Sequence, residues 1–209
     1  MAASNPIPDP GVPVPLHVRR RALVQDEIER AALRLFLTYG YDAVSIDDIA
    51  VAAGMSGRTF FRYFASKDEI LRRFQAGLNE ALIAAYRSQP AQQGPIAALR
   101  AAFGETSHVP TAERERVRAL GRLLATTPAV HARSMGETLL DDRLSGEFAR
   151  RSRSRRTDAR PAIMVAAISA AALVGWNRWV TGDDACDPSA SVTHAIDALG
   201  LHDARAAKK

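Results

Sequence analysis

Between Gly54 and Lys67 the chain places three cations and no acid: Arg58, Arg62 and Lys67, interleaved with Ser56, Thr59 and Tyr63. Arg58 or Arg62 could donate two parallel hydrogen bonds to a guanine edge, a contact worth roughly 1–3 kcal/mol of discrimination between base pairs. Ser45, Ser56, Tyr63 and Lys67 carry donors that can reach phosphates, and helix starts add free backbone N–H groups. The chemistry implied is the reading of duplex DNA. No P-loop, nucleophile elbow or paired-carboxylate pattern points to an enzyme. His108, His131 and His194 have neither metal-ligand spacing nor a companion cysteine, so no metal or cofactor is expected.

Bulk charge does not point to this stretch. The 209 residues carry a net charge of +5, but residues 1–73 hold ten Lys/Arg against nine Asp/Glu, so the basic character is local. With 47% apolar residues the chain can bury a sizeable core. Cys186 is the single cysteine, which excludes an intramolecular disulfide and a cysteine-rich zinc site. The start of the chain has five prolines and no apolar segment of the kind a signal peptide needs. The most apolar run, Ala162 to Trp176, is shorter than the roughly 20 residues of a membrane span and reads as a buried helix. A soluble cytoplasmic protein is expected.

Short helices separated by glycine turns must hold the basic residues in place. Ile28, Ala31, Ala32, Leu35, Phe36 and Tyr39 form one apolar face, on a helix beginning near Arg20 and stopped by Gly40. Ser45 caps a second helix, with Asp47 and Asp48 in its first turn. Gly54 ends that helix, Ser56 caps a third running to about Phe64, and Ser66 caps a fourth running to about Tyr86. Two short helices about a glycine turn, with another packed behind, make a helix-turn-helix. This leaves Gly57, Arg58, Thr59, Arg62 and Tyr63 on the outer face, while Phe60, Phe61 and Phe64 read as core. Further helices are expected from Pro95, from Pro110–Thr111, from Pro128, from Asp158–Pro161 and around Val192–Leu199. No segment alternates with period two, so the fold class is all-α.

The segment SIDDIAVAAGMSGRTFFRYFASKDEIL, preceded by ALRLFLTYGYDAVS, resembles the N-terminal domain of the TetR family of bacterial transcriptional regulators. The likeness covers about residues 20–75. It implies a third helix entering the major groove and a second whose first turn meets the backbone. Carried over by position, the DNA-binding residues are Ser45, Ser56, Gly57, Arg58, Thr59, Phe61, Arg62, Tyr63 and Lys67. Where many relatives have a phosphate-binding tyrosine this chain has Phe61, which has no hydroxyl to offer a phosphate.

The proline-rich start gives nothing to bury and reads as a disordered arm over 1–19; the resemblance implies a DNA-binding domain over 20–80 and a helical ligand-binding and dimerisation domain over 81–203, before a flexible tail over 204–209. Implied partners are a palindromic double-stranded operator, a second copy of the chain and a small apolar effector, with no membrane. The stretch RERVRALGRLLATTPAVHARS and the Ala-rich helix ending in GWNRW resemble the mycofactocin-regulator subgroup, which implies an acyl-CoA-like effector. Phe103, Leu124, Met135, Leu139 and Trp176 are the candidates to line its pocket, with core packing the competing reading for each. The arginine tract 149–156 reads as a solvated helix end; its sharper reading is a phosphate rim for a CoA moiety, with Arg151, Arg153, Arg155 and Arg156 as its donors. Two rival functions use the same composition: a helical small-molecule carrier that reads no DNA, and an architectural DNA binder without sequence preference.

Overall fold

The structure, a computed structural model, describes residues 15–126, 142–155, 157–182 and 186–203. The described residues form helices without strands: α1 (Leu16–Tyr39), α2 (Ile46–Ala52), α3 (Gly57–Phe60), α4 (Lys67–Ser88), α5 (Pro95–Thr106), a 3₁₀ turn (Thr111–Glu113), α6 (Arg114–Thr126), α7 (Asp142–Ser152), α8 (Arg160–Thr181) and α9 (Pro188–Asp197). Two boundaries differ from expectation. The helix expected from Arg20 begins at Leu16, so residues 15–19 belong to no disordered arm. The third helix ends at Phe60 and continues as tight turns, with Arg62 N bonding Thr59 O and Tyr63 N bonding Phe60 O. The residues before 15, the helix start at Pro128 and the tail after 203 lie outside the described residues.

Two buried clusters organise the chain. The first joins Ile28, Ala32 and Phe36 of α1 to Ile49 and Ala50 of α2, Phe60, Phe64, and Ile70 and Leu71 of α4. The second joins Leu82, Ile83 and Tyr86 of α4 to Leu99 and Phe103 of α5, Leu144 and Phe148 of α7, Ile168 of α8 and Ile196 of α9. Helix α4 therefore belongs to both cores, and the boundary expected at residue 80 falls inside it.

Helix α8 is the centre of the second unit. Although long and apolar enough by composition to cross a membrane, it buries Pro161, Val165, Ile168, Ala172, Gly175 and Trp179, an inward stripe with alternating spacings of three and four. Helices α5, α6, α7 and α9 pack on it. Gly175 lets α9 cross closely: a Cβ there would stand 2.5 Å from Ser191 O, and Ser191 Oγ donates to Gly175 O at 2.8 Å. Helix α6 makes a second bridge between the units. Its Leu120 and Leu123 pack on the first core, while Arg118 Nε and Arg122 Nε donate to Trp179 O and Val180 O at the end of α8.

Candidate nucleic-acid interface and effector core

The turn between α2 and α3 is built around Gly54, whose φ of +69° is a conformation that side chains with a Cβ rarely adopt. Ser56 then caps α3, its hydroxyl accepting from Thr59 N at 3.2 Å and sharing a hydrogen bond with Thr59 Oγ1 at 3.0 Å. Phe60 and Phe64 are fully buried and fix the inner face of this short segment. Burial of two Phe side chains contributes about 1.5–3 kcal/mol each, which anchors a helix too short to be stable alone.

The outer face carries the predicted readers. Arg58 and Arg62 are exposed, and among the described residues neither has a carboxylate partner. Thr59 and Tyr63 are half-buried beside them. Gly57 starts α3 against α2, where a Cβ would come within 2.8 Å of Asp47 Oδ1. Phe61 departs from the core expected for it. It is 57% exposed and meets Phe60 edge-on at 5.7 Å, so its ring faces outward with the arginines.

Two predicted phosphate donors have internal work. Ser45 and Asp48 form a reciprocal capping box: Ser45 Oγ accepts from Asp48 N at 3.1 Å and Ser45 N donates to Asp48 Oδ2 at 2.9 Å. Hydrogen bonds from the Ser45 side chain and backbone hold the Asp48 carboxyl below the usual carboxylate range. With two carboxylates in that turn, Ser45 serves chiefly as a cap. Lys67 Nζ donates to Tyr41 O at 2.7 Å and Val44 O at 3.1 Å, and lies 4.3 Å from the Tyr41 ring. The ammonium thus locks the α1–α2 loop onto α4 and keeps one of its three N–H donors in reserve.

The sequence pattern did not single out two residues that support this face. Arg21 Nη1 donates to Arg62 O at 3.0 Å with its guanidinium 5.4 Å from the centre of the Tyr63 ring, and Gln25 Nε2 donates to Tyr63 O at 3.3 Å. They satisfy carbonyls left open where the reading segment stops. A signal for them exists: Arg21 and Gln25 stand seven and three residues before Ile28, on its side of α1.

In the second unit Phe103 is buried and Trp176 packs on the same core, so these two candidates share one cluster. The side chain of Leu124, and Met135 and Leu139 entire, lie outside the described residues. Ser169 Oγ is buried without a hydrogen-bond partner among the described residues. A cavity of about 320 Å³ lies at the end of α4, lined by Tyr86, Arg87, Ala91, Glu147, Arg150 and Arg151. Arg151, read as part of a solvated helix end or, more sharply, of a phosphate rim, is instead a cap for α4: its guanidinium donates to the carbonyls of Tyr86, Gln89, Pro90 and Gln93. Arg87 and Arg150 share the Glu147 carboxylate. Arg153 and Arg155 are exposed, and Arg156 lies outside the described residues.

Comparison with known proteins agrees with this division. Residues 28–74 match the family described as bacterial regulatory proteins, tetR family, and residues 93–202 match the MftR C-terminal domain. The chain is 32% identical over 197 residues to the HTH-type transcriptional regulator TcmR of Streptomyces glaucescens, covering 88% of this chain and 86% of that one. It is also 32% identical over 189 residues to the putative mycofactocin biosynthesis transcriptional regulator MftR of Mycobacterium tuberculosis, covering 86% and 89%. Among solved structures, the TetR-family repressor FadR of Thermus thermophilus in complex with lauroyl-CoA superposes with a TM-score of 0.58 at 23% identity, over 88% of this chain and all of that one. SmeT, repressor of a Stenotrophomonas maltophilia multidrug efflux pump, gives 0.58 at 20% identity over 83% and 87%. Both share the fold.

Proposed function

The chain belongs to the TetR family of bacterial regulatory proteins, a family of DNA-binding transcriptional regulators, and we propose that it acts in the cytoplasm as a homodimeric repressor released from a two-fold operator by a small apolar effector. The observation that carries the DNA half is the outer face of α3 and the turns that follow it, with Arg58 and Arg62 exposed, without carboxylate partners among the described residues, and held in place by buried Phe60 and Phe64. In this reading the two arginines take base edges, Phe61 takes apolar contact with a thymine methyl or sugar, and Ser56, Thr59, Tyr63 and the remaining Lys67 donor take phosphates. Gly57 lets the backbone approach. Ser45 contributes by capping α2. Selection of binding duplexes from a random-sequence pool tests the reading: recovery of an inverted repeat supports it, and enrichment of no sequence defeats it.

The dimer half is supported by the outward stripe of α8, where Ile163 and Val174 are 63% and 56% exposed with Ala167 and Ala170 between them. Small residues permit close helix approach, and a two-fold pairing there sets two reading helices on symmetric half-sites. An effector releases DNA only by binding the non-reading conformation more tightly. Helix α4, which contributes to both cores, and helix α6, which packs on the first core and against the end of α8, are the elements through which occupancy changes the spacing of the reading helices.

For the effector, a polar atom in an apolar core without a partner among the described residues, Ser169 Oγ, favours a ligand with a long apolar body and a polar anchor. The complex of FadR with lauroyl-CoA makes an acyl-CoA the first compound to try. Its apolar chain would lie by Phe103 and Trp176, with Leu124, Met135 and Leu139 as further lining. Its phosphates would fall to the exposed Arg153 and Arg155, since Arg151 is occupied by the end of α4 and Arg87 and Arg150 by the Glu147 carboxylate. Titration of acyl-CoAs of graded length against a labelled operator complex, with free CoA and free fatty acid as controls, tests this. Release by acyl-CoA alone supports it, and release by none removes it while leaving DNA reading intact.

A further inference from the structure

Helix α1 begins well before it has a core to cover. Its inward stripe runs through Val24, Ile28, Ala31 and Leu35 at helical spacing, and the first fully buried position is Ile28. Continued toward the N-terminus with the same three- and four-residue steps, that stripe passes through Arg21, Arg20 and His17. The side that is apolar over the core is therefore cationic where the helix overhangs it. Apolar residues do not hold these first turns: Leu16, Val18 and Leu23 are 73%, 45% and 67% exposed. They are held by polar docking onto the reading segment, with Arg21 on Arg62 O and the Tyr63 ring, and Gln25 on Tyr63 O.

Residues 15–25 contain three arginines and no acid, and Arg20 is exposed. The nearest acid on α1, Asp26, is paired with Arg73. Given that α3 reads DNA, we propose that the first two turns of α1 form a second DNA contact: Arg20, with His17 beside it, meets backbone phosphates flanking the bases read by α3. Arg21 is a positioning residue, fixing the overhang against the end of the reading segment. Continuity with the α3 face and charge complementarity both select a phosphodiester chain as the occupant. The contact is made by side chains and is indifferent to sequence.

Arg19 supplies an internal control, because it lies in the same turn but on the opposite side of the helix from the stripe. The probe is the duplex that the wild-type protein selects from a random pool, with about one helical turn of flanking DNA on each side, and again with the flanks trimmed away. Arg20→Ala is expected to lower affinity for the flanked duplex several-fold, leave base preference unchanged, and reduce the slope of log K against log salt by about one for each phosphate no longer neutralised. Arg20→Lys restores the slope. Arg19→Ala leaves it as in wild type, and on trimmed DNA all four proteins converge. Equal losses from Arg19→Ala and Arg20→Ala would show bulk charge alone and overturn the proposal, as would an unchanged slope in Arg20→Ala. A wild-type protein that selects no sequence defeats DNA reading itself, and the flanking contact falls with it.

Discussion

In the proposed reading, Arg58 and Arg62 are the two side chains on which sequence recognition rests. Removing both by Arg58→Ala/Arg62→Ala deletes up to two bidentate base contacts of roughly 1–3 kcal/mol each. Specific affinity should fall to the level of non-specific DNA while circular dichroism stays unchanged, because neither side chain supports the core. Lys67→Ala should behave differently. It removes two hydrogen bonds to the α1–α2 loop as well as one free donor, so thermal stability and affinity for all sequences should fall together. At Asp187, burial works against the charge, but hydrogen bonds from Ser189, the neighbouring His108 and Val109 N–H outweigh it and hold the pKa down to about 2, from an ordinary 3.8. A carboxylate so depressed contributes stability that is present above its unfolded pKa and lost as pH falls through the folded one. The stability difference between wild type and Asp187→Asn, read from urea unfolding, should be constant above about pH 4 and shrink toward pH 2. A difference that stayed constant across that window would count against the assignment.

Two glycines in long helices have opposite surroundings, and opposite outcomes are expected. Gly77 lies in the middle of α4 with nothing within 4 Å of a Cβ built there. Gly77→Ala should raise stability by about 1 kcal/mol, the difference in helix propensity. Gly175 sits where α9 crosses α8, and its Cβ would meet backbone atoms of Ser191 and Val192 at 2.5 and 2.7 Å. Backbone cannot move aside as a flexible side chain can, so Gly175→Ala should cost about 1–3 kcal/mol through overpacking. Thermal melts of the two variants check the pair, and a shift of the same sign in both would contradict the packing of α9 on α8. The end of the described chain also works at this scale. Asp203 accepts from Ile96 N at 2.8 Å and Ala97 N at 3.0 Å, capping α5 from more than 100 residues away in a manner no local pattern announces.

For the whole molecule the decisive quantity is the proposed dimer. Val174→Asp places a charge on the exposed apolar stripe of α8 without touching either core. Sedimentation should show a monomer at micromolar concentration, and operator affinity should fall far more than half-site affinity, since the second half-site is no longer held at a high effective concentration. A variant that remained dimeric would move the interface off this stripe. In the proposed dimer, effector binding should act through α4 and α6 together, because α4 belongs to both cores and α6 bridges the first core and the end of α8.

Periodicity and capping residues by themselves determined the all-α class, the broken helix over 45–71 and the burial of Phe60 and Phe64, because these follow from contacts within a turn or two of the chain. The resemblance to a known family rested on the same short stretch. Only tertiary structure decided what depends on residues far apart. It turned Phe61 outward, since Phe60 and Phe64 already fill the core beneath it. It committed Lys67 to Tyr41 and Val44, and Arg151 to the end of α4, because a long cation is drawn to open carbonyls wherever the fold brings them within reach. It also started α1 four residues early, where Arg21 and Gln25 find acceptors at the end of the reading segment. Local pattern records which side of a helix is apolar; what lies against the other side is set by elements that meet only when the chain has folded.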